Sequence, residues 1–218
     1  MSPDRPTLAR RERSALVETM RAVGPDAPTL CEGWTTRDLA AHLVVREARP
    51  DAAAGVVVPA LAARLEELRL REVERPWAEL LEKISGGAPW YSPLRYADSL
   101  ANTAEYLVHH EDVRRAGDPW EPRRFDAEDL ERIWALATTV AKSALRKAPA
   151  RVDLRTPPGM APTRKGAVST GAALAPLASI TAEPTELLLW AFGRGEAVVD
   201  ISGAQRGIDA IEAISRAV

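Results

Sequence analysis

The stretch NTAEYLVHHEDV, residues 102–113, carries two of the chain's three histidines and decides how the remaining sequence is interpreted. Glu105 and His109 are four positions apart, which places them on one face of a helix. Asn102 and Asp112 extend that face at spacings of three. A row of polar side chains is costly to bury unless a partner satisfies it, and a metal ion is one such partner.

The third histidine can supply a ligand from a facing helix. His42 lies in TRDLAAHLVV, residues 36–45, and its apolar neighbours predict that the imidazole faces the interior of a helical bundle. Two histidines and one carboxylate, with a position open to water, are typical of catalytic zinc sites and also suit nickel, manganese or iron. The same residues are compatible with a solvated helix face and a hydrogen-bonded core histidine.

Four neighbours of this pattern each have more than one interpretation. Asp112 either accepts a hydrogen bond from the other ring nitrogen of His109 or is an ordinary surface carboxylate. His110 is about 100° around the helix from His109 and is assigned to the surface or to the edge of the site. Cys31 is a nucleophile, a ligand or a buried structural thiol. Trp34, shortly before the His42 helix, lines a pocket or belongs to the core.

Periodicity predicts a mixed fold of α and α/β parts. Helices are expected at 8–23, 36–48, within 51–74, after Pro76, at 98–116 and at 127–147. After Pro149 the pattern favours strands at 151–156, 177–181 and 197–202 and helices at 184–192 and 205–218, with 157–176 a Gly- and Pro-rich loop. We therefore predict a bundle of four to five helices over 1–148 and a small α+β domain over 149–218.

Composition narrows the function classes. Lys and Arg number 29 against 31 Asp and Glu, and a net charge of -2 provides no broad positive field for nucleic acid. The apolar stretches are too interrupted to predict a membrane span. A single cysteine excludes an intramolecular disulfide framework, and the charged amino-terminal segment is unlike a signal peptide, so a cytoplasmic location is expected.

Two motifs together resemble a known family. LCEGWTTRDLAAHL (30–43) followed by NTAEYLVHHEDVRRAG (102–117) is similar to the mycothiol-dependent maleylpyruvate isomerase type of the DinB-like metal-binding superfamily. The resemblance implies a DinB-like bundle that binds a divalent ion, zinc first, through His42, Glu105 and His109. ITAEPTELLLWAFGRGEAVVDISG (180–203) resembles the small, sterol-carrier-like α+β domain appended in many actinobacterial members.

The resemblance also implies a chemistry. Relatives are thiol-dependent isomerases or S-transferases, so mycothiol is the expected cosubstrate and a small electrophile the expected substrate. In this chemistry Asp112 and Asn102 would tune the metal ligands, Trp34 is assigned with them to cofactor binding, and Arg194 would pair with a substrate carboxylate. The alternative is a non-catalytic, metal-dependent ligand-binding or stress-response module. The sequence names neither the physiological substrate nor the oligomeric state.

Overall fold

The computed structural model describes residues 5–49, 59–92, 95, 100–117, 119–160, 168–170 and 175–214. Two compact units are present, Met1–Glu121 and Pro122–Val218. None of the helices in the described part of the chain is long and apolar enough to cross a membrane.

The first unit is helical. Its helices are α1 (Leu8–Val23), α2 (Thr36–Ala48), α3 (Pro59–Val73), α4 (Trp77–Gly86) and α5 (Leu100–Arg115). Helix α1 packs on α4 and α5, and α2 packs on α3 and α4. Apolar side chains from four of these helices share one core that includes Leu16, Met20, Leu39, Leu43, Leu80, Ile84 and Tyr106.

The start of α2 is fixed by a capping box. The Thr35 hydroxyl accepts a hydrogen bond from the Asp38 backbone N–H at 3.4 Å, and the Asp38 carboxylate accepts one from the Thr35 backbone N–H at 3.0 Å. Arg69 of α3 pairs with the same carboxylate at 2.5 Å. The capping box satisfies the Thr35 and Asp38 N–H groups, and the Thr36 and Arg37 N–H groups donate to the Ala27 and Pro25 carbonyl oxygens. The rotational setting of α2, and hence of His42, is therefore well defined.

The second unit combines helices with a mixed sheet. It contains α6 (Ala127–Ala144) with a 3-10 turn (Leu145–Lys147), β1 (Arg151–Arg155), β2 (Val168–Thr170), β3 (Leu177–Thr181), α7 (Pro184–Ala191), β4 (Asp200–Gly203) and α8 (Gln205–Glu212). The strand order is β2-β1-β3-β4; β1 and β3 are parallel, and the outer two pairings are antiparallel. Helix α6 packs along α7, and α8 contacts β3 and β4.

The predicted fold class, a helical bundle followed by a small α+β part, is confirmed. One element corrects the prediction: Val168–Thr170 forms β2 inside the stretch 157–176, for which the sequence predicts a loop. This strand pairs antiparallel with β1, so a partner distant in sequence decides its structure. The parts of the helix predictions that fall on 51–58 and 215–218 lie outside the described residues.

The boundary between the two compact units lies before α6. The sequence pattern predicts it later, between residues 148 and 149, where strands begin to be favoured. Helix α6 belongs to the second unit because its contacts are with α7. Among its buried side chains are Ile133, Trp134 and Ala137, and α7 is buried along its whole length.

We predict that Gly203→Ala destabilises the sheet. Gly203 has a φ of 128°, and a Cβ there would lie 2.6 Å from the Leu177 carbonyl oxygen of β3. The clash is with backbone, so the expected cost is about 1–3 kcal/mol. Native-state hydrogen exchange of the β3 amides should accelerate in this variant and stay unchanged in Gly195→Ala, whose added Cβ meets nothing within 4 Å. Equal exchange in the two variants would contradict the prediction.

Candidate metal centre

Helices α2 and α5 bring His42, Glu105 and His109 together within the first unit. The His42 Nε2 atom lies 3.1 Å from Glu105 Oε1, and the His109 Nε2 atom lies 3.3 Å from the same oxygen. Each residue offers one ligand atom, and these atoms all lie within 4.8 Å of one another. The three side chains could therefore hold one metal ion.

The donor set fits a divalent ion with an open position. An ion bound tetrahedrally at about 2.0–2.2 Å places neighbouring ligand atoms ~3.4 Å apart, close to the separations of the Glu105 oxygen from the two nitrogens. The side chains of the three residues are 12–19% exposed, so a small ligand can approach them. Nitrogen and carboxylate donors suit several first-row ions, and they do not select one.

Asp112 sets the orientation of His109. Its buried Oδ2 atom lies 2.9 Å from His109 Nδ1, and because a carboxylate only accepts, Nδ1 carries the hydrogen. In the neutral ring the lone pair is then on Nε2, the nitrogen that faces Glu105. Oδ2 also accepts a hydrogen bond from Cys31 Sγ at 3.2 Å, and the Asp112 carbonyl oxygen accepts one from the Leu30 N–H at 3.0 Å.

Arg46 holds the second oxygen of Glu105. The Arg46 Nε atom lies 3.2 Å from Glu105 Oε2, and the other arm of the guanidinium donates to Asn102 Oδ1 at 3.1 Å. Asn102 therefore contacts the cluster through Arg46. These bonds leave Oε1 as the carboxylate oxygen directed at both histidines.

The titration of the cluster reflects this pairing. Burial alone would raise the pKa of Glu105. Hydrogen bonds from His109 and His42 and the charge of Arg46 outweigh that effect and hold the pKa well below its usual value. Burial lowers the pKa of His109, but its hydrogen bonds with Asp112, Cys31 and Glu105 raise it to well above its usual value. An ion on Nε2 must displace the proton held there, so metal binding is coupled to proton release.

Trp34 packs beside the cluster. Its ring centre is 5.3 Å from that of His42, at an interplanar angle of 50°. The guanidinium carbon of Arg69 lies 4.9 Å from the centre of the indole ring. The indole packs against the hydrophobic core of the first unit, as the core interpretation expects, and also forms an apolar wall next to His42.

Two predicted residues are not among the members of the cluster. His110 is only 4% exposed, so its assignment to the surface or to the edge of the site is wrong; it lies 3.2 Å from Glu12 Oε2 and 2.9 Å from the Thr19 hydroxyl. Arg194 belongs to the second unit, where it follows α7 and donates to the Phe192 carbonyl oxygen at 2.8 Å. The cluster in the first unit is made without either residue.

Two contacts of the cluster were not assigned from the sequence. Arg46 is one helical turn after His42, a spacing that signals a shared face but not a partner. Cys31 gives no signal, because its contacts with Asp112 and His109 join positions 81 and 78 residues apart. Cys31, His109 and Asp112 form a second group of donors that could hold an ion. We favour the first group because Asp112 already occupies the Nδ1 side of His109.

Comparison with known proteins identifies the fold. No family model and no curated protein matches this sequence. The structure is similar to the crystal structure of a mycothiol-dependent maleylpyruvate isomerase, with a TM-score of 0.55 over 90% of each chain. The chain has the fold of this isomerase. At 15% identity the likeness establishes architecture, and the cofactor and substrate in the isomerase's name are statements about that protein.

We predict that each chain binds about one divalent ion. His42→Ala, Glu105→Ala and His109→Ala should each abolish this binding. Each substitution removes one of three protein ligands, and the two that remain hold an ion weakly. Elemental analysis of protein purified without a polyhistidine tag measures the amount of bound metal per chain. His110→Gln is the matched control and should keep the ion, because His110 pairs with Glu12 instead. Metal-free wild-type protein after reconstitution would exclude the centre.

We also predict that Asp112→Asn weakens metal binding by about 10–100-fold without unfolding the bundle. An amide can present its NH₂ to Nδ1, which favours the tautomer with the hydrogen on Nε2. The backbone contact with Leu30 does not depend on the side chain. Competition with a chromogenic chelator gives the affinity, and circular dichroism controls for folding. Unchanged affinity would show that Asp112 does not orient His109.

Proposed function

We propose that this chain is a divalent-metal-dependent enzyme that joins a low-molecular-weight thiol to a small electrophile, ending in an isomerised acid or an S-conjugate. The observation that carries the proposal is the approach of His42 Nε2 and His109 Nε2 to one oxygen of Glu105. A histidine–carboxylate set with an open position is typical of catalytic rather than structural zinc sites.

Zinc is the proposed ion, with nickel, manganese and iron as alternatives that the donors also suit. An ion of this kind supplies a Lewis acid that lowers the pKa of a coordinated thiol and presents it as a thiolate. Mycothiol is the proposed thiol. The fold shared with a protein named as a mycothiol-dependent isomerase supports this choice.

The side chains around the ligands have separate tasks in this proposal. Asp112 holds the proton on His109 Nδ1, and Arg46, itself bonded to Asn102, keeps Glu105 turned toward the histidines. Trp34 supplies the apolar wall beside His42. An apolar wall limits hydration of the cluster, which strengthens electrostatic interactions there.

Arg194 is the proposed partner of a substrate carboxylate. Guanidinium groups bind carboxylates in bidentate geometry, and the residue lies in the FGRGE turn that follows α7. The resemblance of 180–203 to the appended domain of the isomerase type supports this assignment. It concerns only the substrate and is independent of metal binding by the first unit.

We expect thiol-dependent turnover that requires the ion. Tag-free protein is incubated with mycothiol, glutathione or cysteine and with either maleylpyruvate or a chromogenic aryl halide, before and after chelation. The rate should fall to background in chelated protein and in His109→Ala, and persist in His110→Gln. Arg194→Gln should raise KM for the carboxylate substrate and leave that for the neutral aryl halide unchanged.

The outcomes separate the two function classes. Stoichiometric metal with no thiol-dependent rate over the substrate panel would count against catalysis. A thermal shift on adding metal that no thiol alters would then favour the non-catalytic, metal-dependent binding module. Equal KM changes for both electrophiles in Arg194→Gln would remove Arg194 from substrate binding.

A further inference from the structure

The first unit contains a cavity whose lining includes none of the three candidate metal ligands. Its volume is about 470 Å³, within the usual range of small-molecule pockets. Its polar lining comes from the first half of α1, the end of α4, residue 95 and the start of α5: Arg10, Arg13, Ser14, Ser85, Arg95 and Asn102. None of the described residues that line it is acidic.

The three arginines leave positive charge in this cavity. Arg13 pairs with Glu47 at 2.6 Å. Arg95 donates to the Ala88 carbonyl oxygen at 3.0 Å, a neutral partner. Within the described parts of the chain, neither Arg10 nor Arg95 forms an ion pair. A concave surface with uncompensated guanidinium groups attracts anions.

Arg13 borders the cavity beside Gly87. Its Nε atom is buried and has no hydrogen-bond partner among the described residues. Gly87 brings this guanidinium close to the backbone, since a Cβ at that glycine would lie 2.5 Å from Arg13 Nη1. Arg13 and Gly87 therefore form one wall of the cavity.

We propose that this cavity binds a small molecule with two or more oxyanion groups, either carboxylates or phosphates. Arg10 and Arg95 supply charge that no described residue pairs, Arg13 adds a third guanidinium, and the hydroxyls of Ser14 and Ser85 add hydrogen bonds. Guanidinium forks match both carboxylate and phosphate geometry. Two guanidinium charges that no described residue compensates, and a volume well above that of one phosphate group, favour a polyanion. The inference is independent of the proposed thiol chemistry.

Isothermal titration of the full metal-loaded chain with pyrophosphate and with succinate tests the proposal at physiological chloride. We expect saturable binding of at least one probe, pyrophosphate indicating a phosphorylated ligand and succinate a dicarboxylate. Arg10→Gln and Arg95→Gln should each weaken binding by about tenfold or more. Arg21→Gln, an exposed position on the same helix that pairs with Glu18, should not.

A second variant excludes binding of the probe to the metal. His109→Ala removes a metal ligand and lies outside the cavity lining, so it should keep the affinity for the probe. Loss of binding in His109→Ala together with unchanged binding in Arg10→Gln and Arg95→Gln would assign the anion to the ion and overturn the proposal. Absence of saturable binding of both probes, or equal affinities in the arginine variants and Arg21→Gln, would overturn it as well.

Discussion

The fully buried carboxylate of Asp112 is the constraint on which the candidate centre depends. A buried carboxylate must be paired, and here its partners are the His109 ring and the Cys31 thiol, while the backbone of the same residue accepts from Leu30. One residue thus ties the segment before α2 to α5 and also fixes the ring that faces Glu105. A movement of the segment before α2 would therefore also change the orientation of the His109 ring.

The sequence predicted those elements whose signals are local. Thr35 and Asp38 predict the start of α2 because both residues of a capping box lie within one turn. The bounds of α1 and α2 follow from apolar spacing for the same reason. The short strand Val168–Thr170 could not be predicted, since three residues are too few for a readable alternation and their pairing with β1 is long-range.

The same distinction applies to the candidate centre. Glu105 and His109 are adjacent on one helix, so their spacing alone indicated a common face, and the apolar neighbours of His42 indicated an inward direction. The contact of Cys31 with Asp112 depends on tertiary packing across 81 positions, and no local pattern encodes it. His110 was misplaced because its partner, Glu12, lies 98 residues away on α1. Buried pairs of this kind become visible only in three dimensions.

The packing of α6 against α7 has a practical consequence for dissecting the chain. A fragment that ends at residue 148 would separate α6 from α7 and leave Ile133, Trp134 and Ala137 without the surface that buries them. Such a fragment would be prone to aggregation through this apolar stripe. A cut between Glu121 and Pro122 keeps α6 with α7, so expression of the isolated halves should begin from that junction.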